Sequence, residues 1–281
     1  MSIETLDSRP AGTPGYLQRL LRSEYQKITS TRMVIVLSCI VAAAGIVGAL
    51  IMNGIGLAVA AEGQKVFTQQ RFVAAAYTFA NQMSRIVAII AGAMAMGAEY
   101  RHKTLAASYL AVPRRRDLVL GKAAVTFGYG LALGIVATGL SFVVSMIFIL
   151  SQGGSLALDS AATWQALLMN VVTIALWSMI GYGLGLLVRQ MIASVVIAVV
   201  FCYVLEPTLS LIFTVKQWTV PGRLLPGGAT DTAIGISPMD LIRGHVPTDG
   251  PAAWTGLLVL LGWALLPAVI GYVSTVRRDV D

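Results

Sequence analysis

Charge is what this chain lacks most. Asp, Glu, Lys and Arg make up 12% of its 281 residues, where a soluble domain carries about 25%. So few charges cannot cover a water-exposed globule, which excludes a soluble fold. Cysteine is scarce too. Cys39 and Cys202 are the only two, too few for a disulfide framework. Both lie in apolar stretches and are expected to be buried apolar side chains. Histidine is limited to His102 and His245, which the topology below puts on opposite sides of a membrane, unable to share a metal. There is no GxxxxGK[ST] phosphate loop, HExxH, cysteine cluster or GxSxG. The nearest fragment, Gly121-Lys122-Ala123, has Arg116 where the first glycine belongs and alanine where Ser or Thr belongs. With no phosphate loop and no cluster of ionisable groups, chemistry within this chain is not expected.

What is present is apolar and continuous. Hydrophobic residues are 57% of the chain and the mean hydropathy is +0.78. They gather in runs near the roughly 20 residues a helix needs to cross a bilayer, not in the short alternating segments of a barrel. The sequence predicts an all-α polytopic membrane protein with six spans, at residues 33–57, 72–98, 118–150, 164–188, 191–213 and 253–276. The third is the longest, and only Arg189 and Gln190 separate the fourth from the fifth.

Basic residues orient these spans. Fourteen of the twenty Lys and Arg fall on the side of the two termini, five fall on the other, and Arg85 lies inside the second span. That excess predicts both termini in the cytoplasm. The net charge of +7 is thereby a topology signal that also favours anionic lipid, and no nucleic-acid partner is expected. Abundant Ala, Gly and Val with Arg over Lys suggests a GC-rich bacterial genome and hence a bacterial plasma membrane. Ala58-Val59-Ala60 looks like a signal-peptidase site, but the apolar run before it is far longer than the usual 7–15 residues, so an uncleaved first span is expected.

Residues 1–32 are read as a cytoplasmic tail and an amphipathic interfacial helix. Thr13-Pro14 makes a good helix start. Leu17, Leu21, Tyr25 and Ile28 fall on one face, with Arg19, Arg22, Ser23, Gln26 and Lys27 on the other, a pattern for lying in the membrane interface. On the other side, the loop 214–252 has five prolines separated by apolar residues and is expected to be structured against the span ends. Trp218 and Trp254 fit an aromatic belt there.

Within the spans, polar groups are isolated. Arg85 follows Asn81-Gln82-Met83-Ser84, and a central arginine costs about 2.5–3.5 kcal/mol on insertion scales. It either lines a path, with Asn81, or pairs locally. Glu206 precedes Pro207, where the helix is expected to bend or break. Glu206 either lines the same path or starts the outer loop, the second being favoured. Gly130/Gly134 and Gly181/Gly185 are GxxxG pairs for close helix approach, within the chain or in a dimer.

The stretch from Glu99 to Lys122 is a basic hairpin between two spans, carrying Arg101, His102, Lys103, Arg114, Arg115 and Arg116. An acidic residue ending the second span, a threonine soon after, a Pro–Arg segment and a lysine entering the third span are here Glu99, Thr104, Pro113 with Arg114–Arg116, and Lys122. In this block, and in Leu225-Pro226-Gly227-Gly228-Ala229 of the outer loop, the chain resembles the permease subunits of ABC-2-type ATP-binding-cassette exporters. The resemblance covers nearly the whole chain, although Lys103 stands where a glycine often precedes the threonine. It implies a permease without its own ATPase site or cofactor. ATP and Mg would sit on a separate cytoplasmic ATPase docked on residues 99–117 and Lys122. A second permease chain, identical or paralogous, would complete the pathway, and the cargo would be lipophilic or amphipathic. The alternatives are an ATPase-independent transporter or channel, expected to show an inverted repeat, broken helices or paired mid-membrane charges, and a membrane sensor or scaffold. No repeat and no mid-depth acidic cluster is visible.

Overall fold

The computed structural model describes residues 16–102, 115–236 and 252–277, and among these there are helices and turns but no strand. A short α1 (Tyr16–Thr29) precedes α2 (Arg32–Ala61). Then come α3 (Gln70–Thr78), α4 (Asn81–His102), α5 (Arg115–Ser151), α6 (Ala161–Val188), α7 (Met191–Val200), α8 (Glu206–Val215), α9 (Thr219–Leu224), α10 (Pro226–Ile234) and α11 (Ala253–Arg277). Six helical stretches are long and apolar enough to cross a bilayer: Arg32–Ala61, Gln70–Arg101, Arg116–Ser151, Ala161–Val188, Met191–Val215 and Ala253–Ser274. They match the predicted spans within a few residues.

The second and fourth spans form the centre, with 61% and 67% of their apolar windows buried, against 17% and 28% for the fifth and sixth. Missing side chains let the central helices touch. A Cβ on Gly181 would run into the Ile89 carbonyl, and one on Gly92 into the Ser178 carbonyl. A Cβ on Gly130 would lie 2.9 Å from Ala175 Cα, one on Gly134 2.7 Å from the Val171 oxygen, and one on Gly185 2.7 Å from the Ala93 oxygen. All four predicted GxxxG glycines therefore pack within the chain, where small residues admit close backbone contact.

Several expectations are corrected. The second span is not one helix but two, α3 and α4, interrupted at Phe79–Ala80. Two serines of α5 explain the interruption: Ser141 Oγ and Ser145 Oγ each donate to the Ala76 carbonyl at 3.1 Å, the acceptor that the Ala80 N–H would use in a continuous helix. At Glu206-Pro207 the helix neither breaks nor gives way to loop. A π turn over Phe201–Leu205 joins α7 to α8, and the wider turn accommodates the N–H that Pro207 lacks. Glu206 is thereby inside the fifth span. Cys202 is buried as expected, but Cys39 is exposed on the outside of the bundle. In α1, Leu20 and Glu24 are buried against the protein, while Tyr25 of the apolar stripe is 60% exposed, so the helix packs on the bundle by residues outside that stripe. The Thr13-Pro14 helix start lies outside the described residues.

Candidate functional site

Buried charge ties the two stems of the predicted hairpin to α1. Lys122 Nζ lies 2.9 Å from Glu99 Oε1 and 2.6 Å from Glu24 Oε2. Lys27 Nζ lies 2.5 Å from Glu24 Oε1 and 3.4 Å from Glu99 Oε1. The side chains of Glu24, Glu99 and Lys122 are 1%, 7% and 4% exposed, whereas Lys27 is 47% exposed. The four groups alternate in sign and sum to zero, the condition under which charges tolerate burial. Burial alone would push the Glu24 carboxyl up, but Lys122 and then Lys27, by charge and hydrogen bond, hold it below its ordinary value. Burial would likewise pull Lys27 down, yet Glu24 and Glu99 raise it above its ordinary value. Local packing seats α1 here: a Cβ on Gly121 would lie 3.1 Å from Leu20 Cδ2, so the bare glycine leaves room for Leu20.

Sequence reasoning singled out Glu99 and Lys122 and put Lys27 on the polar face of the N-terminal helix, but missed Glu24 and the link of both to the stems. The signal was present, because Glu24 is the sole acidic residue of α1 and Lys27 follows it by one turn. Of the other predicted contact residues, Arg101 is exposed near the end of α4, and Arg116 is paired at 3.7 Å with Asp117. His102 and Arg115 are the terminal residues of α4 and α5, their side chains outside the described set. Thr104, Pro113 and Arg114 lie outside the described residues.

A second cluster lies toward the opposite face. Glu206 is 4% exposed, and its Oε1 accepts from the Gly227 N–H in the first turn of α10, a carboxylate at a helix N-terminus. A Cβ on Gly227 would lie 2.5 Å from Glu206 Oε1 and 2.9 Å from Arg85 Nη1. The Arg85 guanidinium carbon is 5.3 Å from the centre of the Trp177 ring. Trp177 Nε1 in turn donates to Thr230 Oγ1 at 2.9 Å, and Trp263 Nε1 to the Leu224 carbonyl at 2.9 Å. The segment 219–234 is thus fastened to the fourth, fifth and sixth spans. Arg85 and Glu206, two of the three predicted path residues, converge on its N-terminal turn. Asn81 goes elsewhere. It bridges Asn170 Oδ1 at 2.9 Å and Thr173 Oγ1 at 3.0 Å, and Asn170 Nδ2 continues to Thr138 Oγ1 at 2.8 Å. This is a buried seam joining the second, third and fourth spans.

A family model described as "ABC-2 family transporter protein" matches residues 20–205. The chain belongs to the ABC-2 transporter family. The match takes in Glu24, Lys27, Glu99, Lys122 and Arg85, and stops one residue short of Glu206. This ABC-2 permease is therefore a membrane transport subunit spanning the bilayer several times. No curated protein matches the chain significantly.

Proposed function

We infer that this permease is the membrane half of a bacterial exporter driven by ATP hydrolysed on a separate cytoplasmic ATPase. Both termini face the cytoplasm, in keeping with the excess of basic residues on their side. The ATPase docks on the hairpin between Glu99 and Lys122 and carries the ATP and Mg. The observation that carries this reading is the Glu24–Lys27–Glu99–Lys122 cluster. It makes both stems of the hairpin and α1 one mechanical unit, so a push on the hairpin moves α4 and α5 together. A second permease chain, identical or paralogous, completes the pathway. The cargo is lipophilic or amphipathic, such as a drug, antibiotic, peptide or lipid, in keeping with spans that carry almost no free charge.

The test is purification of the intact complex with the products of neighbouring genes. A Walker-motif ATPase co-purifies, and reversing Arg114, Arg115 and Arg116 to Glu weakens its retention and its cargo-stimulated hydrolysis. Absence of any ATPase, together with transport unaffected by the reversal, overturns the reading.

A further inference from the structure

We propose that a groove between α9, α10 and the first turns of α11 binds an anionic phospholipid in the leaflet opposite the termini. The groove encloses about 210 Å³. Val220, Leu224 and Val259 give it apolar walls, and Arg223, Thr232 and Thr255 bring its polar atoms. Val220 and Leu224 are 65% and 53% exposed, and Trp218 and Trp254 beside them are 55% and 62% exposed. Exposed apolar side chains with an exposed tryptophan at the start of each flanking helix mark the depth where acyl chains meet head groups.

Charge selects the occupant. Arg223 is half-buried at this groove and has no carboxylate partner among the described residues. Asp231, the acid next to Thr232, already has an interaction of its own. The two threonine hydroxyls donate inward, Thr232 Oγ1 to the Gly228 carbonyl at 2.8 Å and Thr255 Oγ1 to the Ala252 carbonyl at 2.7 Å. Having donated, each keeps lone pairs that can accept from a hydroxylated head group. A phosphate against Arg223, with an acyl chain along Val220, Leu224 and Val259, satisfies all three kinds of surface. The site does not depend on any ATPase.

The experiment uses the full chain in phosphatidylcholine vesicles containing a small, equal fraction of dibrominated phosphatidylglycerol or dibrominated phosphatidylcholine, and reads quenching of tryptophan fluorescence. Brominated phosphatidylglycerol is expected to be enriched about fivefold at the groove, the preference that about 1 kcal/mol per basic residue at a membrane surface yields. Arg223→Lys keeps the preference. Arg223→Ala removes it, and so does Val259→Phe, which fills the groove and leaves the charge in place. Lys216→Ala, an exposed cation outside the groove, leaves it unchanged. Equal quenching by the two lipids in the native chain overturns the proposal. So does a preference that survives both Arg223→Ala and Val259→Phe, or one lost equally in Lys216→Ala, which would mean diffuse surface charge.

Discussion

Replacing Lys122 with methionine should release α1 from the hairpin stems without unfolding the spans. Lys122 is the buried one of the two cations in contact with both carboxylates, at 2.6 Å from Glu24 and 2.9 Å from Glu99. Without it, two acids that are 1% and 7% exposed share Lys27 alone, at 2.5 and 3.4 Å. Removing one partner of a buried ion pair costs about 3–5 kcal/mol, mostly for the charge left behind. Glu24 escapes that cost by leaving with α1, so the cost falls on docking. At about 1.4 kcal/mol per factor of ten, the undocked population rises by about two to three and a half orders of magnitude. The readout is maleimide labelling of Leu20→Cys, a buried position, in a background with Cys39 and Cys202 replaced by alanine. The exposed position Gln18→Cys sets the ceiling rate. The double variant Glu24→Gln/Lys122→Met should regain much of the protection, because it removes an uncompensated charge and leaves Glu99 with Lys27. Two results refute the reasoning: unchanged labelling in Lys122→Met, or a double variant that labels as fast as the two single losses combined, since contacting groups in one network are not additive.

The protection of Leu20→Cys relative to the exposed Gln18→Cys, which cancels the pH dependence of the thiolate itself, should be flat across neutral pH. Glu24 sits below its ordinary 4.5, so its stabilisation is present above that value and disappears as pH falls through the folded value. Lys27 sits above its ordinary 10.5, so its contribution is lost only as pH rises through its folded value. Protection that declines between about pH 6 and about pH 9 contradicts this linkage. Gly181→Leu should cost more than the about 1–3 kcal/mol of ordinary overpacking, read as a fall in the thermal midpoint of the purified chain, because its side chain meets the Ile89 backbone. Gly139→Leu, with nothing within 4 Å, should leave the midpoint unchanged, and equal midpoints for the two variants would refute the packing.

The spans were legible because hydropathy and bilayer thickness act on long stretches of sequence, and a shift of two residues changes neither. Glu99 and Lys122 were legible through a motif, but their contact was not. It depends on α1 lying across the stems, and α1 was read by its apolar stripe. The stripe marks a membrane-facing side and says nothing of the side against the protein, because Glu24 is buried by pairing, not by hydropathy, and its buried partner Lys122 is 98 positions away. The break at Phe79–Ala80 was illegible for the same reason. No glycine or proline marks it, and its cause is two serines on another helix. Pro207 misled in the opposite direction, since a π turn keeps a helix continuous at a residue that reads locally as a breaker.

A broken second span and an Arg–Glu convergence within the membrane are features expected of a transporter that works without an ATPase. Here both are engaged in structural contacts. The Ala76 carbonyl at the break is taken by Ser141 and Ser145, and one Glu206 oxygen holds the first turn of α10. They matter more for transmission. Glu99 and Arg85 lie on the same uninterrupted helix, α4, and their 14-residue separation spans about 21 Å at 1.5 Å per residue. The break comes at 79–80, beyond Arg85 as seen from the hairpin. A tilt imposed at Glu99 therefore reaches Arg85 and its neighbours Glu206 and Gly227 without crossing a hinge, while α3 beyond the break can stay with α5. Under the proposed drive from the hairpin, this geometry would move the anchor of segment 219–234 as its first consequence.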